Sequence, residues 1–293
     1  MPPEYGSPTV RRRRLAAELR RLREGASLTG EDVADRLGWS ASKVSRIELY
    51  RTGIKTPDLS RLLQLYGVSA THQAELLALA REPRRKGWWE AYSDALPEEY
   101  AAYIVLEAEA DSMQCWSPQL VHGLLQTADY ARAIIEAHMG STASIPPGKI
   151  QQRVTTRLER QRVIRSESPL GLAVILDQSV LLRKVGDEAV MHQQMGHLLE
   201  VSRLPNVALR VLPLTGSHPI GTGCFTVLRF PPVPGIGQSA DVVYLEQLSS
   251  TALYVEDEDE VFEYRQAFDK LIEKSLDPES SRQLIAAASV HWS

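Results

Sequence analysis

Between Leu28 and Glu48 the chain reads Leu-Thr-Gly-Glu-Asp-Val-Ala-Asp-Arg-Leu-Gly-Trp-Ser-Ala-Ser-Lys-Val-Ser-Arg-Ile-Glu. The second half of this stretch sets small hydroxyls and two cations around the apolar pair Val44 and Ile47. A hydroxyl both donates and accepts, an ammonium is a point donor suited to phosphate, and a guanidinium fork can hold two acceptors side by side, as on the edge of a guanine. The chemistry on offer is recognition of a polyanion.

Such a face has to be held at a fixed angle. A helix-turn-helix does this with a small residue where its helices cross, a residue tolerant of positive φ in the turn, and apolar residues on the second helix facing the first. Ala34, Gly38, Val44 and Ile47 meet those demands at spacings of 4, 6 and 3. Ser40 is then the N-cap of the second helix. Its exposed face would point Ala41, Ser42 and Arg46 at base edges, Arg46 contributing about 1–3 kcal/mol of discrimination at a guanine. Lys43, Ser45, Arg51 and Lys55 suit phosphates, and Thr29 and Ser40 join the DNA-contacting set. Arg11, Arg12 and Arg13 read either as a minor-groove arm or as a solvated helix face. Glu48 is expected to turn back onto an arginine of the bundle, Arg14 or Arg20.

The positioning elements follow from apolar stripes at helical spacing. Leu15, Leu19 and Leu22 form one; Val33 and Leu37 a second; Val44 and Ile47 a third; Leu59, Leu62, Leu63 and Tyr66 a fourth; Leu76, Leu77 and Ala80 a fifth. They predict an all-α five-helix domain over residues 10–80, after a disordered tail at 1–9 and before a basic linker at 81–87.

The chain has 293 residues, 43% of them apolar, enough for about two domains with real cores. Its net charge of −4 hides an asymmetry. Lys and Arg outnumber Asp and Glu by 17 to 10 in residues 1–86, whereas residues 87–293 hold 16 bases against 27 acids. A basic front and an acidic back suggest that only the front meets nucleic acid. Two cysteines, Cys115 and Cys224, exclude a disulfide scaffold and a structural zinc site. With no signal-like segment and no apolar run of spanning length, the expectation is a cytoplasmic protein with no membrane partner.

Residues 88–293 read as a C-terminal α/β (α+β) domain with a mixed sheet of about five strands. The strand-like tracts are Leu170–Leu176, Val207–Leu212, Cys224–Phe230, Asp241–Leu248 and Thr251–Val255. Helices are expected around Tyr100–Cys115, Gln119–His138, Ile150–Ile164, Asp187–Arg203, Asp257–Lys274 and Pro278–Val290. The seven histidines show no metal-ligand spacing. Gly216-Ser-His218 puts a nucleophile type beside a base type without an elbow motif, and Gly221-Thr-Gly223 lacks the third glycine of a dinucleotide loop. No cofactor and no catalysis are expected; the alternative is a DNA-targeted or autoregulating enzyme acting on a metabolite. Trp88, Trp89, Tyr92, Tyr100 and Tyr103 are either interdomain packing or a ligand cage. Glu107, Trp116, Gln126, Asp177, Arg183 and Glu246 line a pocket or serve buried ion pairs.

Lys43-Val-Ser-Arg-Ile-Glu48 and Leu59-Ser-Arg-Leu-Leu-Gln-Leu-Tyr-Gly-Val68 are similar to the recognition helix and fourth helix of the xenobiotic-response-element (XRE) family of helix-turn-helix regulators. Gly30 stands where many members carry a phosphate-binding Gln, and Gly53 arrives late after Glu48, so the recognition helix is expected to run about a turn longer. Tyr103-Ile-Val-Leu-Glu-Ala-Glu-Ala110, Gly123-Leu-Leu-Gln-Thr-Ala-Asp-Tyr-Ala-Arg132, Leu176-Asp-Gln-Ser-Val-Leu-Leu-Arg183 and Val207-Ala-Leu-Arg-Val-Leu-Pro213 with Val243-Tyr-Leu-Glu246 resemble the large C-terminal domain that follows such modules in actinobacterial regulators. His122 replaces the usual Pro there. The resemblance implies a regulator of development or secondary metabolism, often encoded beside a small acidic partner protein, and names no ligand; a small molecule or an acidic partner bound to the back domain is expected to control the reading heads. Helix-turn-helix modules usually pair, so a homodimer on an inverted repeat of double-stranded DNA is expected. The acidic back half would repel an acidic partner, which then needs a local basic patch or competes for the DNA-binding face.

Overall fold

The computed structural model describes residues 10–49, 52–81, 98–139, 147–215, 218–221, 223–232, 241–246 and 253–293. The chain divides into two compact units, residues 1–87 with 231–240 and residues 88–230 with 241–293.

Among the described residues, helices α1 (Val10–Gly25), α2 (Gly30–Leu37), α3 (Ala41–Glu48), α4 (Thr56–Leu65) and α5 (Ala70–Arg81) make up the first unit's regular structure. Leu19, Val33, Leu59, Leu63 and Leu76, one or more from each predicted stripe save that of α3, are fully buried in one core with Val44 and Ile47. The ends of α2 are fixed by local chemistry. Thr29 Oγ accepts the Asp32 N–H at 3.1 Å while the Asp32 carboxylate accepts the Thr29 N–H at 2.8 Å, a capping box that satisfies donors the helix itself cannot. Gly38 ends the helix in the left-handed region, φ 67° and ψ 37°, a conformation that costs most other residues. Ser40 caps α3, its Oγ accepting from the Lys43 N–H at 3.2 Å.

Two expectations change here. α3 stops at Glu48 instead of running a turn longer, because the chain turns back and the Thr52 N–H bonds the Arg46 carbonyl at 3.2 Å. Glu48 does not pair with Arg20, and the Arg14 side chain lies outside those described. Arg23, one turn further along α1, donates Nε to Oε1 at 2.8 Å and Nη2 to Oε2 at 3.1 Å, and its Nη1 holds the Leu28 carbonyl at 2.7 Å.

The second unit opens with α6 (Glu98–Glu109) and carries a six-stranded mixed sheet in the order β3-β2-β1-β4-β5-β6. The strands are β1 (Ser112–Ser117), β2 (Gly171–Asp177), β3 (Val207–Leu212), β4 (Phe225–Arg229), β5 (Val242–Leu245) and β6 (Leu253–Val255). β1, β2 and β3 are parallel, whereas β4 pairs antiparallel with β1, β5 with β4 and β6 with β5. α7 (Ala128–Met139) and α8 (Pro147–Arg160) lie in the crossover from β1 to β2, and α9 (Gln178–Leu182) and α10 (Glu188–Val201) in that from β2 to β3; α11 (Glu258–Lys274) and α12 (Pro278–His291) close the chain.

The sixth strand is the one the sequence hid. The helix expected over Tyr100–Cys115 ends at Glu109, and from Ser112 the chain is a strand that pairs on both sides and sits at the middle of the sheet. Side chains alternate across it. Trp116, with Ile175, Phe225, Val227 and Val243, faces α11, whose Val261, Phe268 and Leu271 complete that core. The opposite face carries Tyr244, and α6 packs on it through Tyr103, ring centroids 4.1 Å apart.

Candidate functional sites

On α3, Val44 and Ile47 point into the bundle while Ala41, Ser42, Ser45 and Arg46 are exposed. Ser42, Ser45 and Arg46 share one stripe, at i, i+3 and i+4. No hydrogen bond or ion pair among the described residues engages the Arg46 guanidinium. Leu49, exposed at 44%, extends the same stripe by one turn and was not anticipated. Lys43 is committed differently. Its Nζ lies 2.8 Å from Asp58 Oδ2, at the start of α4, and 3.7 Å above the Trp39 ring, so a phosphate contact would have to exchange for that pair. The Thr29 hydroxyl is likewise engaged, donating to Asp32 at 2.7 Å, which holds that carboxyl below its usual range. Lys55 is exposed at the head of α4. Arg11, Arg12 and Arg13 belong to α1, and Arg51 lies outside the described residues.

In the second unit a cavity of about 150 Å³ opens where the chain leaves the C-terminal end of β1, between α6, α8 and the strands β4 and β5. This is the point where the parallel crossovers give way to antiparallel strands, the kind of switch in strand order at which α/β sheets leave a crevice. Trp116, Gln126 and Glu246, three of the expected pocket residues, line it. Glu107 stands behind the wall, buried, and holds Arg160 bidentately, Nε to Oε1 at 2.8 Å and Nη2 to Oε2 at 2.5 Å. Burial opposes the charge on Arg160, but Glu107 more than offsets it and raises that group well above the ordinary arginine value. Arg183 is not part of the lining; it caps the end of α9. Trp88 and Trp89 lie outside the described residues, as do Tyr92, Gly216 and Ser217.

Sequence reading missed Arg157, Arg160, His122 and Tyr244, which complete the wall. Gln126 donates to the Val121 carbonyl at 2.7 Å and offers its Oε1 to Arg157 Nη1 at 2.7 Å. Gln161 holds the Gly123 and Gln126 carbonyls, Gln194 the Leu125 carbonyl, and Tyr130 Oη accepts the Val121 N–H. His122, where a proline was the expected residue, caps the 3-10 turn Gly123–Leu125 by accepting the Leu124 N–H on Nδ1 at 3.3 Å. Burial, with the fields of Arg160 and Arg157, pushes it down to about 3, so it is neutral. Among the described residues no group of three or more His, Cys, Asp or Glu could hold a metal ion. None of their helices is long and apolar enough to cross a membrane.

Comparison with known families fits this division. A domain family of unknown function, DUF5753, matches residues 100–287, more than half of the chain. The chain belongs to the DUF5753 family. A helix-turn-helix domain family matches residues 14–76, ahead of the DUF5753 domain and across α2 and α3. The protein is thus a helix-turn-helix DNA-binding protein with a C-terminal DUF5753 domain that contains the cavity. No curated protein and no solved structure matches it.

Proposed function

We propose that the protein is a sequence-specific transcriptional regulator of the XRE type, acting in the cytoplasm as a homodimer that reads an inverted repeat through α3. In this reading the DUF5753 domain is the responsive half, binding an effector or a small acidic partner, and is not an enzyme; its role is of the kind found in actinobacterial development or secondary metabolism. The observation that carries the proposal is the exposed stripe Ser42, Ser45 and Arg46, on a helix whose neighbouring cation, Lys43, is already paired. One free guanidinium flanked by small hydroxyls can enter a major groove and take a guanine bidentately. A single such module reads too few base pairs for genomic discrimination, which favours a pair.

The test is selection from random duplexes at two salt concentrations, with Arg46→Ala alongside. Wild-type protein is expected to select an inverted repeat, and Arg46→Ala to relax one position in each half-site by about 1–3 kcal/mol. Salt-sensitive binding without selection would reject the regulator and leave a charge patch.

A further inference from the structure

The cavity of the DUF5753 domain contains one cation that pairs with no carboxylate among the described residues. Arg160 is matched by Glu107. Arg157, three residues earlier on α8, has only a neutral partner, Gln126. Its Nε is buried without a hydrogen-bond partner among the described residues, and no ion pair there engages it. A buried charged donor left unmade is costly. With Nη1 spent on Gln126, what remains is the Nε–Nη2 edge, the side of a guanidinium that presents two parallel N–H bonds to a carboxylate.

Three further features narrow the occupant. Because His122 Nδ1 accepts the Leu124 N–H, the proton of the neutral ring is assigned to Nε2, giving a second, uncharged donor at the wall. Glu246, the carboxylate in the lining, is exposed, and its negative field acts on Cys224 and Tyr244; it disfavours a dianion. The volume, about 150 Å³, is that of a space able to take one six-membered ring, and Tyr100, Tyr103, Tyr244 and Phe225 supply flat walls for it. The loop from Pro118 to Thr127 is pinned by Gln126, Gln161, Gln194 and Tyr130, so little ordering is left to oppose binding.

We propose that this cavity binds a small organic monocarboxylate whose body is a single ring, its carboxylate on the Nε–Nη2 edge of Arg157 with the Nε2–H of His122 beside it. This deepens the effector-responsive part of the function proposed above by giving the effector a chemical class. A neutral ligand would leave Arg157 Nε unmade, and a phosphate dianion would bring one charge more than the site offsets.

The experiment is calorimetric titration of the full-length protein with benzoate, cyclohexanecarboxylate, benzamide and inorganic phosphate. At least one of the two carboxylates is expected to bind roughly tenfold or more tightly than benzamide and phosphate, and Arg157→Gln to weaken it roughly tenfold or more, while Arg162→Gln, at an exposed position on the same segment, leaves it unchanged. Equal affinity for benzoate and benzamide, carboxylate binding indifferent to Arg157→Gln, or no binding by either carboxylate up to about 10 mM overturns the proposal. Should Arg157→Gln fail to fold, the benzoate–benzamide comparison on wild-type protein decides alone. Affinity for the selected duplex, measured with and without the carboxylate, separates the two readings. Binding that leaves DNA affinity unchanged removes effector control and keeps the site; intact DNA selection with no carboxylate binding removes the site and keeps the regulator.

Discussion

Two side-chain clusters set what individual residues contribute. Glu107 and Arg160 are 2% and 4% exposed, so each depends on the other to remain charged away from water. Glu107→Leu is expected to destabilise the second unit by about 3–5 kcal/mol, because it leaves an uncompensated buried guanidinium, while the double change Glu107→Leu, Arg160→Met costs less than Glu107→Leu alone. Denaturant unfolding of the three proteins checks this. The second cluster is His72, with Nδ1 3.1 Å from Glu75 and Nε2 3.1 Å from Glu18. The bond to Glu75, with Glu18 behind it, raises His72 against the effect of burial. Burial raises Glu18, but Arg21 and His72 outweigh it and leave that carboxyl lowered. A raised histidine stabilises fully below its unfolded value of about 6.5 and loses that contribution as pH climbs through its folded value; a lowered carboxyl contributes above about 4.5 and loses it as pH falls. Both are present between those limits. The melting temperature of the helix-turn-helix unit, relative to His72→Gln, should therefore be highest near pH 5–6 and converge with the variant as pH rises through the raised folded-state value of His72.

At the scale of elements, the turn between α2 and α3 rests on one backbone angle. A Cβ at Gly38 would meet nothing within 4 Å, so Gly38→Ala carries no steric clash, only the left-handed conformation, and is expected to cost about 1–2 kcal/mol. Gly30→Ala, also in open space but without a positive φ, should be neutral or slightly stabilising in the same thermal melts. These local dependences explain what could be read in advance. Gly38 and Ser40 act through their own backbone or an immediate neighbour, and Ala34, Val44 and Ile47 join two helices that follow one another in the chain, so their spacing alone announced the motif. β1 was illegible for the opposite reason. Ser-Met-Gln-Cys-Trp-Ser contains no β-branched residue, and it is a strand because β2 and β4, far along the chain, pair with it. The arginine that meets Glu48 had the same character, since the packing of α1 against α3 selects Arg23 from a run of arginines. Of the cavity, Trp116, Gln126 and Glu246 were foreseen; Arg157 and His122 gain their meaning only when α8 and the Gly123–Leu125 turn come together.

In the whole molecule the two units differ in how far along the chain their contacts reach. The core of the first is made from residues 15–80. In the second, the central strand waits on distant partners, Ser112–Ser117 pairing with Gly171–Leu176 on one side and Phe225–Arg229 on the other. The outer side of β3 is covered by the chain end, where the Leu276 N–H donates to the Val211 carbonyl and Ser281 Oγ accepts the Val211 N–H at 3.0 Å, so that edge is protected last of all. Domains fold in the order in which they leave the ribosome. The helix-turn-helix half is therefore complete while the strand at the centre of the other half is still waiting for both neighbours, and a chain whose translation halts before Phe225 would leave the ribosome with a folded helix-turn-helix unit beside a sheet that lacks β4, β5 and β6.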